Sequence, residues 1–430
     1  MPDKFTQHDP LWMPYTQMKT AMAPLEVAST EGVQIHLRDG RTLIDGIASW
    51  WTACHGYNHP QIVAAIQQQA DQMPHVMMGG MVHQPAQQLA QSLADLLPGD
   101  QNKVFLCDSG SVAAEVAMKM AVQFWRNQQS NATEKNRFVC FENSYHGDTT
   151  GAMSVCDPAD SMHAHFKGFL LEQFPQPIPE DEAALDAFRK FLADKHTQLA
   201  GVIIEPLVQM AAGMRFHSPA TLKAIYDACR KYDLIFIADE VATGFGRTGS
   251  MFAFEQAGIE PDIVCVGKGL TGCSVGLAAT VASGEIYDAF HSDDPQHCLM
   301  HGPTFMGNPI ACAAANASIQ LFQTEPRLQQ VALIEAQLHD ALSPLLSSDR
   351  VASVNCLGAI GAVRLHEDIN VSEAVRFFVE LGVWIRPIRD TIYVAPAFTI
   401  DEDDLQDLCG AIGHFISCLL YTSPSPRDRG

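Results

Sequence analysis

The chain has few basic residues for its length. Its 430 residues include 27 Lys and Arg against 49 Asp and Glu, which gives a formal net charge of −22 at pH 7 and an isoelectric point near 5.0. Proteins that bind nucleic acid or an anionic membrane surface need a basic face, and this composition argues against one. We therefore expect small molecules as ligands, with no nucleic acid and no membrane as partner.

The sequence also lacks the patterns of membrane, secreted and metal-binding proteins. It has no apolar run of transmembrane length, its start MPDKFTQHDP is polar, and its twelve cysteines show no C-x-x-C spacing. His55 and His59 form an H-x-x-x-H pattern, but Gly56 and Pro60 disfavour the helix that such a metal pair needs. We expect a cytoplasmic protein without a metal site.

No Gly/Ser-rich or charged linker divides the chain, although its length exceeds that of a single typical core. The sequence therefore predicts one large α/β domain with a smaller appended lobe.

Two short apolar runs carry the strongest functional pattern. Residues 234–238 and 263–267 are too short for helices and are bounded by charge, Gly and Pro, which predicts buried parallel strands. Asp239 follows the first run and Lys268 the second, at the carboxyl ends of strands, where open α/β sheets bind ligands. Lys268 taken alone either extends its amine to solvent or is a Schiff-base nucleophile whose pKa is lowered by burial.

The pairing of Lys268 with Asp239 favours the second interpretation. An aldehyde cofactor with a ring nitrogen needs an amine at one end of the ring and a carboxylate at the other, which keeps the nitrogen protonated. The stretch DEVATGFGRTG at residues 239–249, the PD at residues 261–262 and the GKG around Lys268 resemble the signature of the subgroup III aminotransferases, which are pyridoxal 5'-phosphate (PLP) enzymes.

This resemblance implies the fold class and two site residues. The implied fold is α/β, fold type I of the PLP-dependent transferases (aspartate aminotransferase-like), with a mostly parallel sheet in a large domain and a small α+β domain. Lys268 would bind the cofactor covalently as a Schiff base, and Asp239 would pair with its pyridine nitrogen.

A second motif contains candidate ligands for a phosphate group. A predicted strand at residues 103–107, the loop DSGS and a predicted helix over residues 112–125 place free backbone N–H groups at a helix start. Taken alone, Ser111 could be a plain N-cap. The resemblance implies that Gly110 and Ser111 bind the cofactor phosphate.

The loop SYHGDT follows a predicted strand at residues 137–141. Its Tyr145 can stack on a pyridine ring or pack on the domain surface. The resemblance implies that Tyr145 stacks on the cofactor and contacts the substrate, with His146 behind it. Lys268, Asp239 and Tyr145 are therefore the predicted catalytic residues, and Glu205 and Gln209 are expected to support them at the same sheet edge.

Two motifs near the amino terminus point to the substrate side. Adjacent Trp50 and Trp51 cannot both face one core from a strand, so at least one is available to a ligand or an interface. MPYTQM at residues 13–18 and DGIASWWTACHGYNHP at residues 45–60 resemble motifs in the branch of this family that acts in biotin biosynthesis. The resemblance implies that Tyr15 and Trp50 line the substrate pocket.

Two later motifs complete the predicted site. HGPTFMGNP at residues 301–309 precedes a helix, and the resemblance implies that Gly302, Pro303 and Thr304 enter the site of a neighbouring subunit in an obligate homodimer. Gly302 would contact substrate there, and Pro303 and Thr304 the cofactor. Arg386, in GVWIRP, suits bidentate capture of a carboxylate or is a solvated surface residue; the resemblance implies that it binds the substrate carboxylate.

The implied reaction is transamination of 8-amino-7-oxononanoate to 7,8-diaminononanoate with S-adenosylmethionine as amino donor. Tyr15 can stack on adenine and therefore favours S-adenosylmethionine as the donor. Lysine stays open as an alternative donor. Another subgroup III enzyme acting on ornithine, β-alanine or a diamine is the near alternative. A non-catalytic cofactor-binding regulator fused to a DNA-reading domain is disfavoured by the charge.

The expected domain limits follow from these motifs. They are an amino-terminal segment of the small domain with substrate-side loops (1–60), a large PLP-binding domain (61–315), a carboxyl-terminal small domain (316–420) and a tail (421–430). The tail YTSPSPRDRG changes abruptly to Pro, Ser and Arg after a predicted helix over residues 401–417 and has no apolar period. It resembles read-through from a sequencing adapter, which leaves open whether it is native.

Overall fold

The computed structural model describes residues 10–128, 134–157 and 163–422, with only the backbone described for residues 420–422. The strands in these ranges are β1 (Val27–Glu31), β2 (Gln34–Leu37), β3 (Thr42–Asp45), β4 (Gln101–Cys107), β5 (Arg137–Phe141), β6 (Phe174–Gln176), β7 (Leu199–Ile204), β8 (Val208–Gln209), β9 (Arg215–Phe216), β10 (Ile235–Asp239), β11 (Ile263–Val266), β12 (Ala278–Ser283), β13 (Val351–Cys356), β14 (Gly361–Leu365), β15 (Val383–Trp384) and β16 (Thr391–Val394).

The helices in the same ranges are α1 (Ala48–Trp51), a single irregular turn, α2 (Pro60–Gln72), α3 (Gln84–Leu96), α4 (Gly110–Gln128), α5 (Thr150–Ser154), α6 (Glu182–Lys195), α7 (Pro219–Arg230), α8 (Gly284–Asp288), α9 (Pro309–Thr324), α10 (Arg327–Leu342), α11 (Val371–Glu380) and α12 (Glu402–Thr422). Every helix in the described residues is too short or too polar to cross a membrane.

The largest sheet of the described residues has the strand order β4-β12-β11-β10-β7-β5-β6. The central strands pair in parallel, and β12 is antiparallel to both of its neighbours, β11 and β4. All residues of β7, β10 and β11 are buried, as expected for strands covered by helices on both faces. The predicted α/β class with a mostly parallel sheet is confirmed.

The crossover from β7 to β10 runs through α7. Ser218 caps this helix by accepting a hydrogen bond from the N–H of Thr221, and Pro219 occupies its first position, where a missing N–H costs nothing. The two strands that α7 connects are neighbours and parallel. Helix and strands therefore form a βαβ unit, which brings the chain back to the carboxyl-terminal edge of the sheet.

The pairing of β10 with β11 brings the two key residues of the sequence to this edge. Asp239 is the last residue of β10 and pairs with Cys265 of β11. Lys268 begins a short 3₁₀ turn after β11, which ends at Val266 and not at the predicted residue 267. Because the two strands are parallel, the carboxylate and the amine leave the sheet on the same side.

Residues from both ends of the chain form a second sheet, ordered β1-β2-β3-β15. β2 and β3 make a hairpin, with Gly40 in a left-handed conformation at its turn, and Trp384 of β15 pairs with Asp45 of β3. A third sheet, β13-β14-β16, packs with α10 and α12 around a separate apolar cluster. This arrangement agrees with a small lobe built from both ends of the chain; its proposed limits at residues 60, 315 and 420 stay a prediction.

The predicted tail begins too early. α12 extends to Thr422, beyond the predicted residue 417, so residues 421 and 422 belong to the helix. Residues 414–422 contain neither Gly nor Pro, and nothing in that stretch interrupts helical hydrogen bonding. The rest of the predicted tail, residues 423–430, lies outside the described residues.

Candidate active site

Asp239 is a buried carboxylate, with 4% of its surface exposed. Its Oδ2 lies 2.7 Å from Nδ1 of His146, and its Oδ1 accepts a hydrogen bond of 3.1 Å from the N–H of Val241. Because a carboxylate accepts, Nδ1 of His146 carries the proton. The buried Nε2 of the same ring has no hydrogen-bond partner in the described residues. The carboxylate is thus held in one orientation with its charge compensated by donors.

Lys268 is half-buried, and its backbone is left-handed with a φ of 45°. Its Nζ lies 4.5 Å from the centre of the Trp51 ring. Burial lowers the pKa of the amine, and the negative charges of Asp239 and Glu205 oppose this effect. An amine with a lowered pKa is more often neutral at physiological pH and is then a nucleophile or a base.

A chain of hydrogen bonds supports the turn behind Lys268. The hydroxyl of Ser318, on α9, donates to the carbonyl of Gly269 at 3.1 Å and lies 3.1 Å from Nε2 of His55. Nε of Arg327 donates to Nδ1 of His55 at 3.0 Å, so Nε2 is the protonated nitrogen and donates to Ser318. Burial, reinforced by Arg327, lowers the pKa of His55 to about 3, and the ring stays neutral. The sequence patterns gave no sign of this support.

Glu205 and Tyr145 meet beside Asp239. The N–H of Tyr145 donates to Oε2 of Glu205 at 3.0 Å. Burial raises the pKa of Glu205 to about 7, although the nearby His146 and Lys268 act in the opposite direction. Gln209, also expected to support the site, is buried and donates to the carbonyl of Glu142.

The predicted substrate-side aromatic residues do come together. The hydroxyl of Tyr15 donates to Oδ2 of Asp148 at 2.5 Å and lies 3.2 Å from the hydroxyl of Tyr145. The Trp50 ring stands nearly perpendicular to the Tyr15 ring, with the two centres 6.3 Å apart. Burial and Asp148 raise the pKa of Tyr15 to about 12, so its hydroxyl remains a donor. Asp148 was not predicted, although it lies in the same motif as Tyr145.

The helix start at Gly110 and Ser111 packs closely against this loop. A Cβ on Gly147, whose φ is 130°, would lie 2.1 Å from Oγ of Ser111, and that Oγ accepts from the N–H of Asp148 at 3.0 Å. A Cβ on Gly110 would lie 2.7 Å from Cγ1 of Val241. In the described residues the N–H groups of Gly110 and Ser111 donate to no backbone or side-chain acceptor. They are therefore open to an anion at the start of the 19-residue helix α4.

Taken together, these groups fit PLP. An amine whose pKa is lowered, a buried and oriented carboxylate, a half-buried Tyr ring and an open helix start match the aldehyde, ring nitrogen, ring face and phosphate of that cofactor.

The remaining predicted residues form no hydrogen bond or ion pair with this cluster in the described part of the chain. Arg386 is half-buried, and its guanidinium forms no hydrogen bond or ion pair there. Gly302 and Thr304 are exposed and Pro303 is half-buried. No hydrogen bond or ring contact joins the segment 302–304 to the residues around Lys268 within the same ranges of this chain.

Comparisons with known proteins agree with this geometry. Residues 15–416 match the model of the family described as Aminotransferase class-III. The adenosylmethionine-8-amino-7-oxononanoate aminotransferase of Buchnera aphidicola is 42% identical over 422 residues, which cover 96% of this chain and 98% of that protein. The enzyme of the same name from Corynebacterium glutamicum is 42% identical over 410 residues, with coverages of 94% and 96%.

Solved structures give the same result. The enzyme of this name from Methanocaldococcus jannaschii superposes with a TM-score of 0.90 at 31% identity, covering 95% of this chain and 97% of that one. A PLP-bound amine transaminase from an uncultivated Pseudomonas species gives a TM-score of 0.89 at 28% identity, with coverages of 95% and 99%. The expected PLP-transferase fold and the PLP cofactor are thereby confirmed, whereas the roles of individual residues stay predictions.

The raised pKa of Glu205 makes a prediction about stability and pH. The folded protein favours the protonated form of Glu205. The stability that this form contributes is therefore complete below the ordinary pKa of 4.5 and is lost as the pH rises to about 7. Glu205→Gln keeps an acceptor for the N–H of Tyr145 and cannot ionise. We expect the unfolding temperature of this variant, relative to the unsubstituted protein, to rise between pH 4.5 and pH 8 in thermal scans. If the difference in unfolding temperature between the two proteins does not change with pH, the raised pKa of Glu205 is contradicted.

Proposed function

Because the chain belongs to the class-III aminotransferase family, whose members use PLP, we propose that it transfers an amino group from S-adenosylmethionine to 8-amino-7-oxononanoate. The product would be 7,8-diaminononanoate, an intermediate of biotin biosynthesis. The observation that carries the proposal is the contact of Tyr15, Trp50 and Tyr145 beside the Lys268 and Asp239 edge. It joins the amino-terminal motifs to the cofactor residues in one site.

The cofactor residues have complementary tasks in this proposal. PLP, when bound, supplies an electron sink for negative charge that develops beside the transferred amino group. Asp239, oriented by His146 and Val241, holds a proton on the ring nitrogen. The N–H groups of Gly110 and Ser111 bind the phosphate, and Tyr145 packs against the ring.

Lys268 both binds the cofactor and moves a proton. Its lowered pKa would let Nζ accept the proton from the substrate carbon that bears the amino group and carry it to the far side of that nitrogen, which is the proton transfer that transamination requires. The ring of Trp51, 7% exposed and 4.5 Å away, shields this amine from water. Glu205, which takes up a proton near neutral pH, keeps the buried charge around Asp239 low.

The two substrates would use different parts of the pocket. Tyr15 and Trp50 are 50% and 44% exposed, so their rings are accessible to the adenine of the donor. Asp148, which anchors the Tyr15 hydroxyl, places a carboxylate near the positive charge of that donor. The half-buried guanidinium of Arg386, which forms no hydrogen bond or ion pair with the described residues, suits the distal carboxylate of the acceptor.

A homodimer with shared sites explains residues 302–304. The surrounding segment 300–308 adjoins the segment 74–82, since Asn308 donates to the carbonyl of Pro74 and the rings of His75 and Phe305 lie 4.7 Å apart. The two segments expose several large apolar side chains, which a partner subunit would cover: Met77, Met81, Val82, Met300 and Phe305. In such a dimer Gly302, Pro303 and Thr304 would reach the partner's site, with Thr304 at its cofactor phosphate.

A cytoplasmic location agrees with the cysteines. All twelve are free thiols, and eight of them are buried. Free thiols persist in a reducing compartment, whereas an oxidising one favours disulfides.

The reaction and the role of Arg386 can be tested together. Stopped-flow spectra of the PLP-loaded enzyme should change with S-adenosylmethionine, and the product form should revert with 8-amino-7-oxononanoate. Arg386→Ala should slow the acceptor half-reaction by on the order of 10⁴-fold, because a site that pairs a substrate charge discriminates strongly. The donor half-reaction should change much less.

Three outcomes would contradict parts of this proposal. Reaction with lysine and not S-adenosylmethionine would change the donor. No reaction with 8-amino-7-oxononanoate would return the enzyme to the wider family. Equal slowing of both half-reactions would remove the specific role of Arg386.

The shared site predicts complementation between inactive subunits. Lys268→Ala and Thr304→Ala subunits, mixed under conditions that exchange monomers, would form heterodimers with one intact site. A statistical mixture restores about a quarter of the wild-type sites. Activity above the sum of the two separate variants is therefore expected, and light scattering showing a monomer at micromolar concentration would rule the dimer out.

A further inference from the structure

The α1 turn has an unusual backbone conformation. Its residues Ala48, Ser49, Trp50 and Trp51 have φ values of 45°, 47°, 54° and 69°. None of them is Gly, and L-residues adopt the left-handed region at a steric cost, as single residues more readily than in runs. Such strain persists only where the surroundings over-determine it, and it clusters at functional sites.

Asp45 supplies the contacts that hold this turn. Its Oδ1 accepts from the N–H of Ile47 at 2.9 Å, and its Oδ2 accepts from the N–H of Ser49 at 2.8 Å and from the hydroxyl of Tyr57 at 2.6 Å. The Ser49 hydroxyl lies 2.7 Å from that of Tyr57 and closes the network. Asp45 is 2% exposed and forms no ion pair with any described residue. A buried carboxylate without a cation is costly, and backbone donors are its compensation.

The turn brings two neighbouring aromatic side chains to the site. The Trp51 ring lies 4.5 Å from Nζ of Lys268, and the Trp50 ring lies 6.3 Å from the ring of Tyr15. Successive residues of a strand would direct these side chains to opposite faces of the sheet. The left-handed turn lets one contact the amine while the other contacts the substrate-side aromatic cluster.

We propose that Asp45 is a positioning residue: it holds the left-handed turn that places Trp51 against the Lys268 amine and Trp50 beside Tyr15. The consequence for substrates rests on the proposed function, whereas the turn itself does not. Loss of the carboxylate should release the turn toward an ordinary backbone conformation and displace both rings without removing either one.

Asp45→Asn tests this inference. The amide of the variant keeps one acceptor oxygen. Its NH₂ group replaces Oδ2 and faces the N–H of Ser49 and the hydroxyl of Tyr57, which donate to Oδ2 in the unsubstituted protein. Since displacement of positioning groups by about 1 Å can cost on the order of 100-fold, we expect a loss of that size in kcat/KM. Asp39→Asn is the matched control, because Asp39 accepts from the N–H of Arg41, also two residues ahead, at an exposed turn. It should change kcat/KM less than about 2-fold.

A second substitution separates positioning from general damage. Ala48→Gly keeps every side-chain hydrogen bond of the turn and reaches a positive φ without the steric cost. When it is added to Asp45→Asn, kcat/KM should rise about 5-fold or more above that of Asp45→Asn alone. A loss that Ala48→Gly does not reduce would overturn the inference.

Fluorine NMR follows the rings directly, whatever the substrate is. The holoenzyme contains five Trp, and 5-fluorotryptophan resonances of Trp50 and Trp51 can be assigned with Trp50→Phe and Trp51→Phe. In Asp45→Asn these two should shift or broaden, while Trp12 and Trp125 stay unchanged. Unmoved Trp50 and Trp51 resonances, or equal changes in all five, would overturn the inference.

Two controls keep the result decisive. An unsubstituted enzyme that fails with S-adenosylmethionine and 8-amino-7-oxononanoate contradicts the proposed function, and the NMR result still decides the role of Asp45. If Asp45→Asn does not fold, Tyr57→Phe removes one donor to Oδ2 and keeps the carboxylate. It should produce a smaller change at the same two resonances, and no change there would overturn the inference.

Discussion

The parallel pairing of β10 with β11 is the constraint on which the site depends. The pairing of Asp239 with Cys265 brings a carboxylate and, three residues later, the Lys268 amine to one edge of a sheet that is buried on both faces. The surroundings then act differently on the two groups. Burial lowers the pKa of the amine, while His146 and the N–H of Val241 keep the carboxylate oriented. A nucleophilic amine and a fixed negative charge thus coexist in one pocket.

The support of this edge comes from segments that are far apart in the sequence. His55 and Arg327 act through Ser318 on the carbonyl of Gly269, next to Lys268. The amino-terminal Asp45 holds the turn whose Trp51 covers the amine. The apolar core of the small lobe is separate from that of the large sheet. The site therefore depends on residues from both lobes, and local contacts alone do not fix it.

Much of the fold and the central pair could be predicted from the sequence, because their signals are local. Short apolar runs and residues at strand ends are visible within a few positions, and the motifs of a known family added Tyr15, Trp50 and Tyr145. The hydrogen bonds of His55 and Arg327 join residues more than 250 positions apart, so no local pattern reveals them. The left-handed α1 turn contains no Gly, so no residue type in the sequence signals it. The strand geometry assumed for Trp50 and Trp51 was wrong because this turn stands in its place. The end of α12 was predicted too early because no Gly or Pro follows residue 417 within the helix, which runs to Thr422.

The central claim is that Lys268 binds PLP at the edge shared with Asp239. Borohydride reduction of the holoenzyme, followed by proteolysis and mass spectrometry, tests it most directly, with Lys268→Ala as the matched control. The account predicts that the reduced cofactor is attached to the peptide that contains Lys268 and that the control acquires no such label. Attachment to another lysine, or labelling of Lys268→Ala to the same extent, would contradict it.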